Sequence, residues 1–335
     1  MATNQRLILA KRPGLTFEPD CVALVEDDSS DVPEGSFGVE ISHVTLDVAM
    51  LGWMREGRSY VPNVPLGETI RATSVGHVIA SHHPDFREGD FVAGLFGAQQ
   101  HAISDGSGVV ALDTVQASPV EWAGALGLTT AFTAYAGLDY AGYDLTGQTV
   151  LVSGASGLVG GMAAQLAKRR GARVIGTAGG AEKCATAIET LGLDHCIDYR
   201  AGNFEEELKE HCPERVNVFF DNVGGEIFDK TLMWMDAMGT VIMCGQTSER
   251  GAPESAVVRN IRAAILERLR IQGFIVFDRA DLYPQAAREI DDAFQAGLLT
   301  IPHEEVVYSG GLSDFASAYL DLASGKRRGK YVLAV

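Results

Sequence analysis

The middle of the chain alternates between continuous apolar runs and segments in which apolar residues recur at helical spacing. The runs predict buried strands, because they are short and uniformly apolar, as in strands that are covered on both faces. The predicted strands are Thr149–Val152, Arg173–Thr177, His195–Asp198, Val216–Phe220 and Thr240–Met243. The helices predicted between them include Ala181–Leu191 and Phe204–His211. This alternation indicates an α/β fold with a parallel, doubly wound sheet, whose ligands bind outside the carboxyl ends of the strands.

The flanking parts of the chain predict a second, β-rich domain. In residues 1–126, turns rich in glycine, proline and aspartate separate short apolar runs such as Val39–Ile41 and Gly76–Ala80, which is typical of a compact barrel. Ala123–Leu138 has the composition of a helix that connects this barrel to the sheet. A last strand, Tyr331–Val335, is expected to return to the barrel. The predicted domains are residues 1–126 with 300–335, and residues 127–299.

The stretch Val150–Gly161 (VLVSGASGLVGG) contains the end of the first strand of the sheet and the glycine-rich turn that follows it. Gly154, Gly157 and Gly160 stand at three-residue spacing before a predicted helix, Met162–Arg170. Glycine lets the backbone approach a pyrophosphate, and the helix N-terminus offers free N–H groups and a partial positive charge. The turn therefore predicts a dinucleotide site; the alternative is a tight strand-to-helix turn without a ligand.

The end of the second strand bears on which dinucleotide is bound. Sites for NAD usually carry Asp or Glu there, to bind the ribose hydroxyls. Here the strand runs into Thr177-Ala178-Gly179-Gly180, which has no carboxylate, and Lys183 follows in the next helix. This combination favours NADP, since a lysine attracts the additional phosphate. The alternative is an ordinary charged helix surface.

Composition limits the partners and the location. The formal net charge is −17, which disfavours binding to nucleic acid or to an anionic membrane. No segment is typical of a signal peptide or a membrane span, and the five cysteines are scattered. We therefore expect a reduced, cytoplasmic protein. The sequence contains no H-E-x-x-H motif and no clustered Cys/His set, so we expect no structural or catalytic zinc.

Nearly the whole chain carries motifs of a known family. They are Ser59–Pro62 (SYVP), Pro65–Glu68 (PLGE), Ser81–Gly89 (SHHPDFREG), Thr133–Tyr135 (TAY), Ala178–Cys184 (AGGAEKC), Ile197–Tyr199 (IDY), Phe220–Glu226 (FDNVGGE), Cys244–Gln246 (CGQ) and Gly273–Asp278 (GFIVFD). Through them the chain resembles the zinc-independent medium-chain dehydrogenase/reductases that include prostaglandin reductases, leukotriene hydroxydehydrogenases and plant alkenal double-bond reductases. The resemblance implies a GroES-like β-barrel domain, a Rossmann domain and a homodimer. It also implies NADPH-dependent reduction of a carbon–carbon double bond conjugated to a carbonyl.

The resemblance further implies where the cofactor binds. Lys183 and Tyr199 would contact the adenosine phosphate, Asn222 would lie near the nicotinamide ribose, and the backbone of Phe274–Val276 would line the nicotinamide. The complete set of predicted NADP(H) contacts is Thr133, Gly154, Ser156, Gly157, Leu158, Val159, Gly179, Lys183, Tyr199, Asn222, Gly245, Phe274, Ile275, Val276 and Arg327.

The expected chemistry requires neither a metal nor a nucleophile. A hydride is transferred to the β carbon of the enone, and the negative charge that develops on the carbonyl oxygen needs a preorganised donor. Orientation of the substrate against the cofactor would supply most of the rate. Tyr60 is the candidate catalytic phenol on the substrate side. The alternative is that Tyr60 is a packed aromatic residue.

The chain departs from the family where the substrate is expected. The segment Asp47–Leu51 lacks the usual tyrosine and arginine, Ala98 follows Gly97 in place of tryptophan, and Arg250 replaces a tyrosine. We therefore predict substrate contacts at Ala49, Ala98 and Arg250, in a wide pocket that prefers bulky or acidic enones. The alternative for Arg250 is a position in solvent. Arg327 likewise replaces an asparagine and either contacts a cofactor phosphate or faces solvent.

Two other functions remain compatible with these observations. A quinone reductase shares the fold and the cofactor. A cofactor-binding protein with little turnover, such as a sensor or structural protein, is compatible with the missing aromatic residues.

Overall fold

A computed structural model describes residues 3–28, 30–249 and 256–335, and the chain divides into two compact units. The first unit comprises Met1–Thr129, Ala280–Gln295 and His303–Val335. The second comprises Thr130–Arg279 and Ala296–Pro302. Ala280–Gln295 thus groups with the first unit, whereas the sequence places it within 127–299. Within the described ranges, no helix is both long enough and apolar enough to cross a membrane.

The N-terminal part of the first unit consists mainly of short strands. They are β1 (Thr3–Leu9), β2 (Val22–Asp28), β3 (Phe37–Leu46), β4 (Ser74–Ser81), β5 (Phe91–Gly94), β6 (His101–Ser104) and β7 (Val110–Ala111), with helices α1 (Met50–Met54) and α2 (Pro119–Ala123). β1 and β2 form an antiparallel ribbon, and β3 pairs antiparallel with both β4 and β6. β3 and β4 approach each other closely at Gly76: a Cβ on this residue would lie only 2.1 Å from the Glu40 carbonyl oxygen.

The second unit is built around a parallel six-stranded sheet. Its elements are α3 (Thr133–Asp139), β8 (Thr149–Ser153), α4 (Leu158–Arg169), β9 (Arg173–Ala178), α5 (Ala181–Leu191), β10 (His195–Asp198), α6 (Phe204–His211), β11 (Val216–Asp221), α7 (Gly225–Leu232), β12 (Met235–Met243), α8 (Ala263–Leu266) and β13 (Arg270–Gly273). The strand order is β10-β9-β8-β11-β12-β13, and every pairing is parallel. This order joins two mononucleotide-binding halves and reverses at β8.

The remaining elements complete the first unit. They are α9 (Tyr283–Gln295), β14 (Val306–Tyr308), α10 (Phe315–Ser324) and β15 (Tyr331–Ala334). β15 pairs antiparallel with β3 and parallel with β14, giving a seven-stranded sheet in which β14, β15, β3, β4, β5 and β7 lie in that order. The predicted return of the last strand to the β-rich domain is therefore confirmed.

The continuous helix predicted over Ala123–Leu138 is wrong. α2 ends at Ala123, a π-helical turn covers Leu128–Phe132, and α3 begins only at Thr133. Gly124 interrupts the helix with a non-helical backbone (φ −98°, ψ −119°). The next residue, Ala125, donates its N–H to Glu305 Oε1 at 3.0 Å, so a carboxylate from later in the chain replaces the helical hydrogen bond.

Candidate functional site

The turn after β8 presents backbone N–H groups at the carboxyl edge of the parallel sheet. Gly154 has a left-handed conformation (φ +64°), which favours glycine. α4 begins at Leu158, and no side chain caps its N-terminus, because its N-cap residue is Gly157. Ser156, Gly157, Leu158 and Val159 are half-buried. This helix end therefore has the geometry of an anion site.

The three glycines of this turn have different roles. A Cβ at Gly160 would lie 2.3 Å from the carbonyl oxygen of Gly154, so only glycine lets α4 pack directly on the turn. A Cβ at Gly157 would lie 3.2 Å from the same oxygen, which a small shift relieves. Gly160 thus closes the turn, and Gly157 leaves the backbone open to a ligand.

The carboxylate of Asp198 ties together the segments that follow β9 and β10. Its Oδ1 accepts hydrogen bonds from the N–H of Gly180 at 2.8 Å and of Arg200 at 3.0 Å. A Cβ at Gly179 would lie 2.6 Å from the Tyr199 hydroxyl oxygen and 2.9 Å from Arg200 Nε. Because Gly179 has no side chain, the Tyr199 phenol and the Arg200 guanidinium lie directly against the end of β9.

Two cations border this position. Lys183 is half-buried on the first turn of α5, and none of the ion pairs among the described residues includes it. The guanidinium carbon of Arg200 lies 5.9 Å from the centre of the Tyr199 ring. Our sequence analysis missed Arg200, because an exposed arginine in a turn has no distinguishing pattern. Its place directly after Tyr199 was the available signal.

A fully buried carboxylate organises the segment after β11. Asp221 Oδ1 accepts hydrogen bonds from Ser153 Oγ at 2.6 Å and from the N–H of Val223 at 3.1 Å, and Oδ2 accepts one from the N–H of Gly224 at 3.0 Å. Burial raises the pKa of Asp221 above its ordinary value, and these hydrogen bonds oppose the shift. Asp221 therefore links the ends of β8 and β11. Sequence reasoning also missed it.

Asn222 is oriented by the same network. Its backbone N–H donates to Ser153 Oγ at 2.8 Å, and its side-chain Nδ2 donates to the Ser153 carbonyl oxygen at 2.8 Å. The side-chain carbonyl oxygen is then the acceptor that Asn222 presents beyond the strand end. Gly245 follows β12 nearby, since a Cβ at Gly245 would lie 3.2 Å from the Asn222 backbone oxygen.

The residues after β13 lie at the same edge. The ring of Phe274 packs against Phe220 and Tyr140, with ring centres 6.4 and 5.5 Å away, respectively. Val276 is buried, whereas Phe274 and Ile275 are half-buried, as is Thr133 at the start of α3. The carboxyl edge of one sheet thus brings together the ends of all six strands. All the predicted cofactor contacts except Arg327 belong to this unit.

The other predicted site residues belong to the first unit or lie outside the described residues. Tyr60 is 55% exposed, and its ring packs edge-on against Trp53 at 6.3 Å between centres. Partial burial raises the pKa of the Tyr60 phenol above its ordinary value. Arg327 pairs with Asp321, with 3.5 Å between Arg327 Nη1 and Asp321 Oδ2. Arg250 lies outside the described residues.

The two predicted alanine contacts differ in exposure. Ala49 is half-buried just before α1. Ala98 has no exposed surface: its N–H donates to the Ile70 carbonyl oxygen at 3.0 Å, and its carbonyl oxygen accepts the Leu7 N–H at 2.8 Å. Ala98 therefore packs against β1, and its contact with a substrate stays a prediction.

The strand order, the glycine turn and the convergent strand ends define the second unit as a Rossmann-type dinucleotide-binding domain. Residues 5–112 match the family described as the N-terminal domain of oxidoreductase, and residues 159–292 match the family described as zinc-binding dehydrogenase. The chain is 34% identical to the NADPH-dependent curcumin reductase of Escherichia coli (strain K12), over 99% of this chain and 97% of that protein. It is 33% identical to the NADP(+)-dependent 2-alkenal reductase of Nicotiana tabacum, over 91% of this chain and 89% of that protein.

A solved structure shows the same architecture. CurA from Vibrio vulnificus in complex with NADPH aligns with a TM-score of 0.80 and 33% identity, covering 99% of both chains. The chain belongs to the medium-chain dehydrogenase/reductase family, in the group that includes alkenal and prostaglandin reductases. Its two domains are a GroES-like β-barrel domain and a Rossmann domain, and it is an NADP(H)-dependent oxidoreductase.

Proposed function

We propose that this protein uses NADPH to reduce the carbon–carbon double bond of α,β-unsaturated ketones and aldehydes. The names of the Escherichia coli curcumin reductase and the tobacco 2-alkenal reductase support this reaction, because both proteins are similar to the chain over nearly its whole length. The observation that carries the proposal is the position of Gly179 between β9 and the Tyr199 and Arg200 side chains, next to Lys183. That arrangement fits a dinucleotide with an additional phosphate.

The glycine turn fits the pyrophosphate of the cofactor. The N–H groups of Leu158 and Val159 would donate to its oxygens, since the N-terminus of α4 has no side-chain cap. The Gly157 N–H already donates to the Gly154 carbonyl oxygen at 2.9 Å, and Gly157 would contribute by letting the pyrophosphate approach the backbone. Ser156 would contribute from the turn itself. Gly154 and Gly160 would hold this backbone in the required conformation, and neither has a side chain that could contact the ligand.

The cluster beyond β9 fits the adenosine phosphate. Lys183 and Arg200 would neutralise its charge, and the Tyr199 hydroxyl would donate a hydrogen bond to it. A charge-assisted hydrogen bond contributes about 1.5–3 kcal/mol. Ala178, Gly179 and Gly180 at the end of β9 carry no carboxylate to repel the phosphate, and Asp198 is already bonded to two backbone N–H groups. This distribution of charge favours NADPH over NADH.

The ends of β11, β12 and β13 would hold the nicotinamide half. Asn222 would accept a hydrogen bond from a ribose hydroxyl, because its amide nitrogen is already bonded to Ser153. Gly245 leaves room for the cofactor, the backbone of Phe274–Val276 would border the ring, and Thr133 would contact the same half. NADPH supplies a hydride when bound, and the residues named here orient it.

Tyr60 is our candidate for the group that stabilises charge on the substrate. The carbonyl oxygen of the enone becomes negative as the β carbon is reduced, and a phenol O–H donates a hydrogen bond to it. The Tyr60 phenol is protonated at neutral pH, as an ordinary tyrosine is, and partial burial raises its pKa further, so it acts as a donor. Solvent would then protonate the α carbon.

Substrate preference follows from the positions at which this chain departs from its family. We retain Ala49, Ala98 and Arg250 as the positions where small or basic residues replace the family's aromatic residues. A wide pocket with Arg250 would favour bulky or acidic enones. Arg250→Ala should then raise KM for acidic enones more than for neutral ones of equal size, and an equal change for both would exclude the contact. For Arg327, which pairs with Asp321, the two alternatives of a cofactor phosphate contact and a position in solvent both stay open.

Activity tests separate this proposal from the alternatives. Purified protein should oxidise NADPH with simple enones and enals and yield the saturated carbonyl, identified by mass spectrometry. A quinone reductase would oxidise NADPH with quinones and not with enones, and a binding protein would bind NADPH without turnover across both panels.

We also propose that no zinc takes part in the reaction. Among the described residues, neither group of three potential metal ligands includes a residue of the glycine turn or of the strand ends next to it. A chelator should leave the rate unchanged.

We further infer a cytoplasmic homodimer. β13 is the last strand of its sheet, and α8 and the preceding segment expose Val257, Ile261 and Ile265 at 65%, 52% and 78%. A second copy could pair with this edge and cover these side chains. Light scattering on the purified protein measures the mass of the particle in solution directly, and the mass of a monomer would exclude the dimer.

The cysteines support the cytoplasmic location. All five are free, as expected in a reducing compartment.

A further inference from the structure

Tyr60 lies on a loop of the first unit whose two ends meet. This Tyr60 loop, residues 55–63, contains no helix or strand. The N–H of Val64, directly after the loop, donates to the carbonyl oxygen of Trp53, in the last turn of α1, at 2.8 Å. The loop therefore closes on itself, as compact surface loops with adjacent ends do.

The guanidinium of Arg12 binds both ends of the Tyr60 loop. Its Nη1 donates to the Met54 carbonyl oxygen at 2.8 Å and also to the Val64 carbonyl oxygen. Arg12 is half-buried, and none of the ion pairs among the described residues includes it. Its donors are therefore directed at the backbone of the loop ends and not at a carboxylate.

Two further hydrogen bonds hold the second end of the loop. Asn63 Nδ2 donates to the Gly52 carbonyl oxygen at 3.3 Å, and Arg71 Nη1 donates to the Pro62 carbonyl oxygen. Neither bond involves the Met54 carbonyl oxygen at the first end. Loss of the Arg12 donors would therefore release the first end, while the second end keeps these two contacts.

The middle of the loop has no comparable anchor. In the part of the chain that the structure describes, residues 56–59 make no backbone hydrogen bond. The Tyr60 ring contacts Trp53, which is only 3% exposed. Because Trp53 also accepts the hydrogen bond that closes the loop, the place of the phenol depends on how the loop ends are held. Segments with few hydrogen bonds open locally at low cost in free energy.

We propose that Arg12 is a positioning residue for the reaction: by binding both ends of the Tyr60 loop, it fixes the place of the Tyr60 phenol. The inference rests on the function proposed above, in which this phenol donates to the carbonyl oxygen of the substrate. Arg12 would act through the backbone of the loop and not on the substrate. Displacement of a catalytic group by about 1 Å can lower a rate by about 100-fold, so a contact outside the reacting atoms has a large effect.

A double-mutant cycle tests whether Arg12 acts through Tyr60. Arg12→Met keeps an apolar stem and removes the donors. It should lower kcat by about 10- to 100-fold and leave NADPH affinity unchanged. In the Tyr60→Phe background the same substitution should cause no further loss, because the hydroxyl that it displaces is already absent. An equal loss of kcat in both backgrounds would overturn the proposal, and so would an unchanged kcat in Arg12→Met.

Trypsin digestion measures the state of the loop without any substrate. Arg55 and the exposed Arg58 lie within the loop, so trypsin cleaves there when the loop opens. Arg12→Met should be cleaved at least about tenfold faster, because loss of a hydrogen bond from a charged donor shifts the opening equilibrium by about that factor. Arg12→Lys should restore resistance and part of kcat, since its ammonium still donates to both carbonyl oxygens.

The two measurements fail in different ways. An unchanged cleavage rate in Arg12→Met would overturn the role of Arg12 in holding the loop, whatever reaction the protein catalyses. An unchanged kcat in Tyr60→Phe would overturn the proposed role of the phenol, and the role of Arg12 in the reaction with it.

Lys11 provides a matched control. It is the neighbouring cation, but its Nζ pairs with Glu18 and Asp20 on the surface, at 2.9 Å each. Lys11→Met should therefore have the kcat and the cleavage rate of the unchanged protein. The melting temperature of each variant shows whether it is folded. Equal losses of kcat in Lys11→Met and Arg12→Met would assign the effect to charge alone and overturn the proposal.

Discussion

Substituting the glycines at the start of α4 separates the packing of this helix from ligand binding. In Gly160→Ala, the new Cβ would lie 2.3 Å from the Gly154 carbonyl oxygen and 2.8 Å from its carbonyl carbon. Both are backbone atoms, so no side-chain rotation relieves the overlap. In Gly157→Ala, the Cβ would lie 3.2 Å from the same oxygen and meet no other atom within 4 Å.

The structure sets the size of each effect. Restoring ordinary contact distances around Gly160 requires a shift of α4 by about 1 Å, and overpacking of this kind costs about 1–3 kcal/mol. A cost of about 2 kcal/mol lowers the melting temperature by roughly 3 °C in a chain of 335 residues, because the entropy of unfolding grows with size. Gly157→Ala should cost under about 1 kcal/mol in stability. It should weaken NADPH binding by about 10- to 100-fold, because the methyl group keeps the pyrophosphate from a charge-assisted hydrogen bond.

Thermal unfolding without cofactor and fluorescence titration with NADPH measure the two effects separately. Gly14→Ala is the control, since its Cβ would meet nothing within 4 Å, and it should leave both quantities unchanged. If Gly160→Ala has the same melting temperature as the unchanged protein, the close packing of α4 on the turn is not required for stability. If Gly157→Ala binds NADPH as tightly as the unchanged protein, the pyrophosphate does not lie on this turn.

Three further substitutions test other parts of the account. Tyr60→Phe should lower kcat by about 100-fold and leave NADPH affinity unchanged, because the variant loses only a donor to the substrate oxygen; an unchanged kcat would exclude this role. Asp47→Asn should cost about 3 kcal/mol on unfolding in denaturant, because it leaves Lys330, 8% exposed and 2.6 Å from Asp47, without its counter-charge; unaltered stability would refute that estimate. Burial raises the pKa of Asp221, so its contribution to stability decreases as pH rises from the ordinary Asp range to the raised value; melting of Asp221→Asn, followed upward in pH from the ordinary Asp range, should lack this decrease, and parallel curves would contradict the assignment.

The doubly wound sheet was predictable because its strands are buried on both faces. Runs such as Val216–Phe220 are apolar except for Asn217, and helices at Ala181–Leu191 and Phe204–His211 have the predicted bounds. The ribbon of β1 and β2 was not predicted, since Thr3–Leu9 mixes polar and apolar residues without strict alternation. Local composition also gave a wrong prediction at Gly124, where the helix is interrupted. There the carboxylate of Glu305, the residue directly before β14, replaces the helical hydrogen bond.

The site was predictable only where a backbone requirement leaves a mark in the sequence. Gly154 and Gly160 are such marks, because the left-handed turn and the close packing of α4 exclude other residues. Arg200 and Asp221 leave no such mark, since their roles depend on strands that are distant in sequence.

The central claim is that the adenosine phosphate of NADPH, which NADH lacks, binds to Lys183, Tyr199 and Arg200 beyond the ends of β9 and β10. Comparing the dissociation constants of NADPH and NADH for the unchanged protein and for a Lys183→Ala/Arg200→Ala variant tests it directly. Loss of two charge-assisted hydrogen bonds, each about 1.5–3 kcal/mol, should weaken NADPH binding by at least about 100-fold. NADH binding should stay the same, so that the preference for NADPH disappears. A double variant that still binds NADPH as tightly as the unchanged protein would contradict the account.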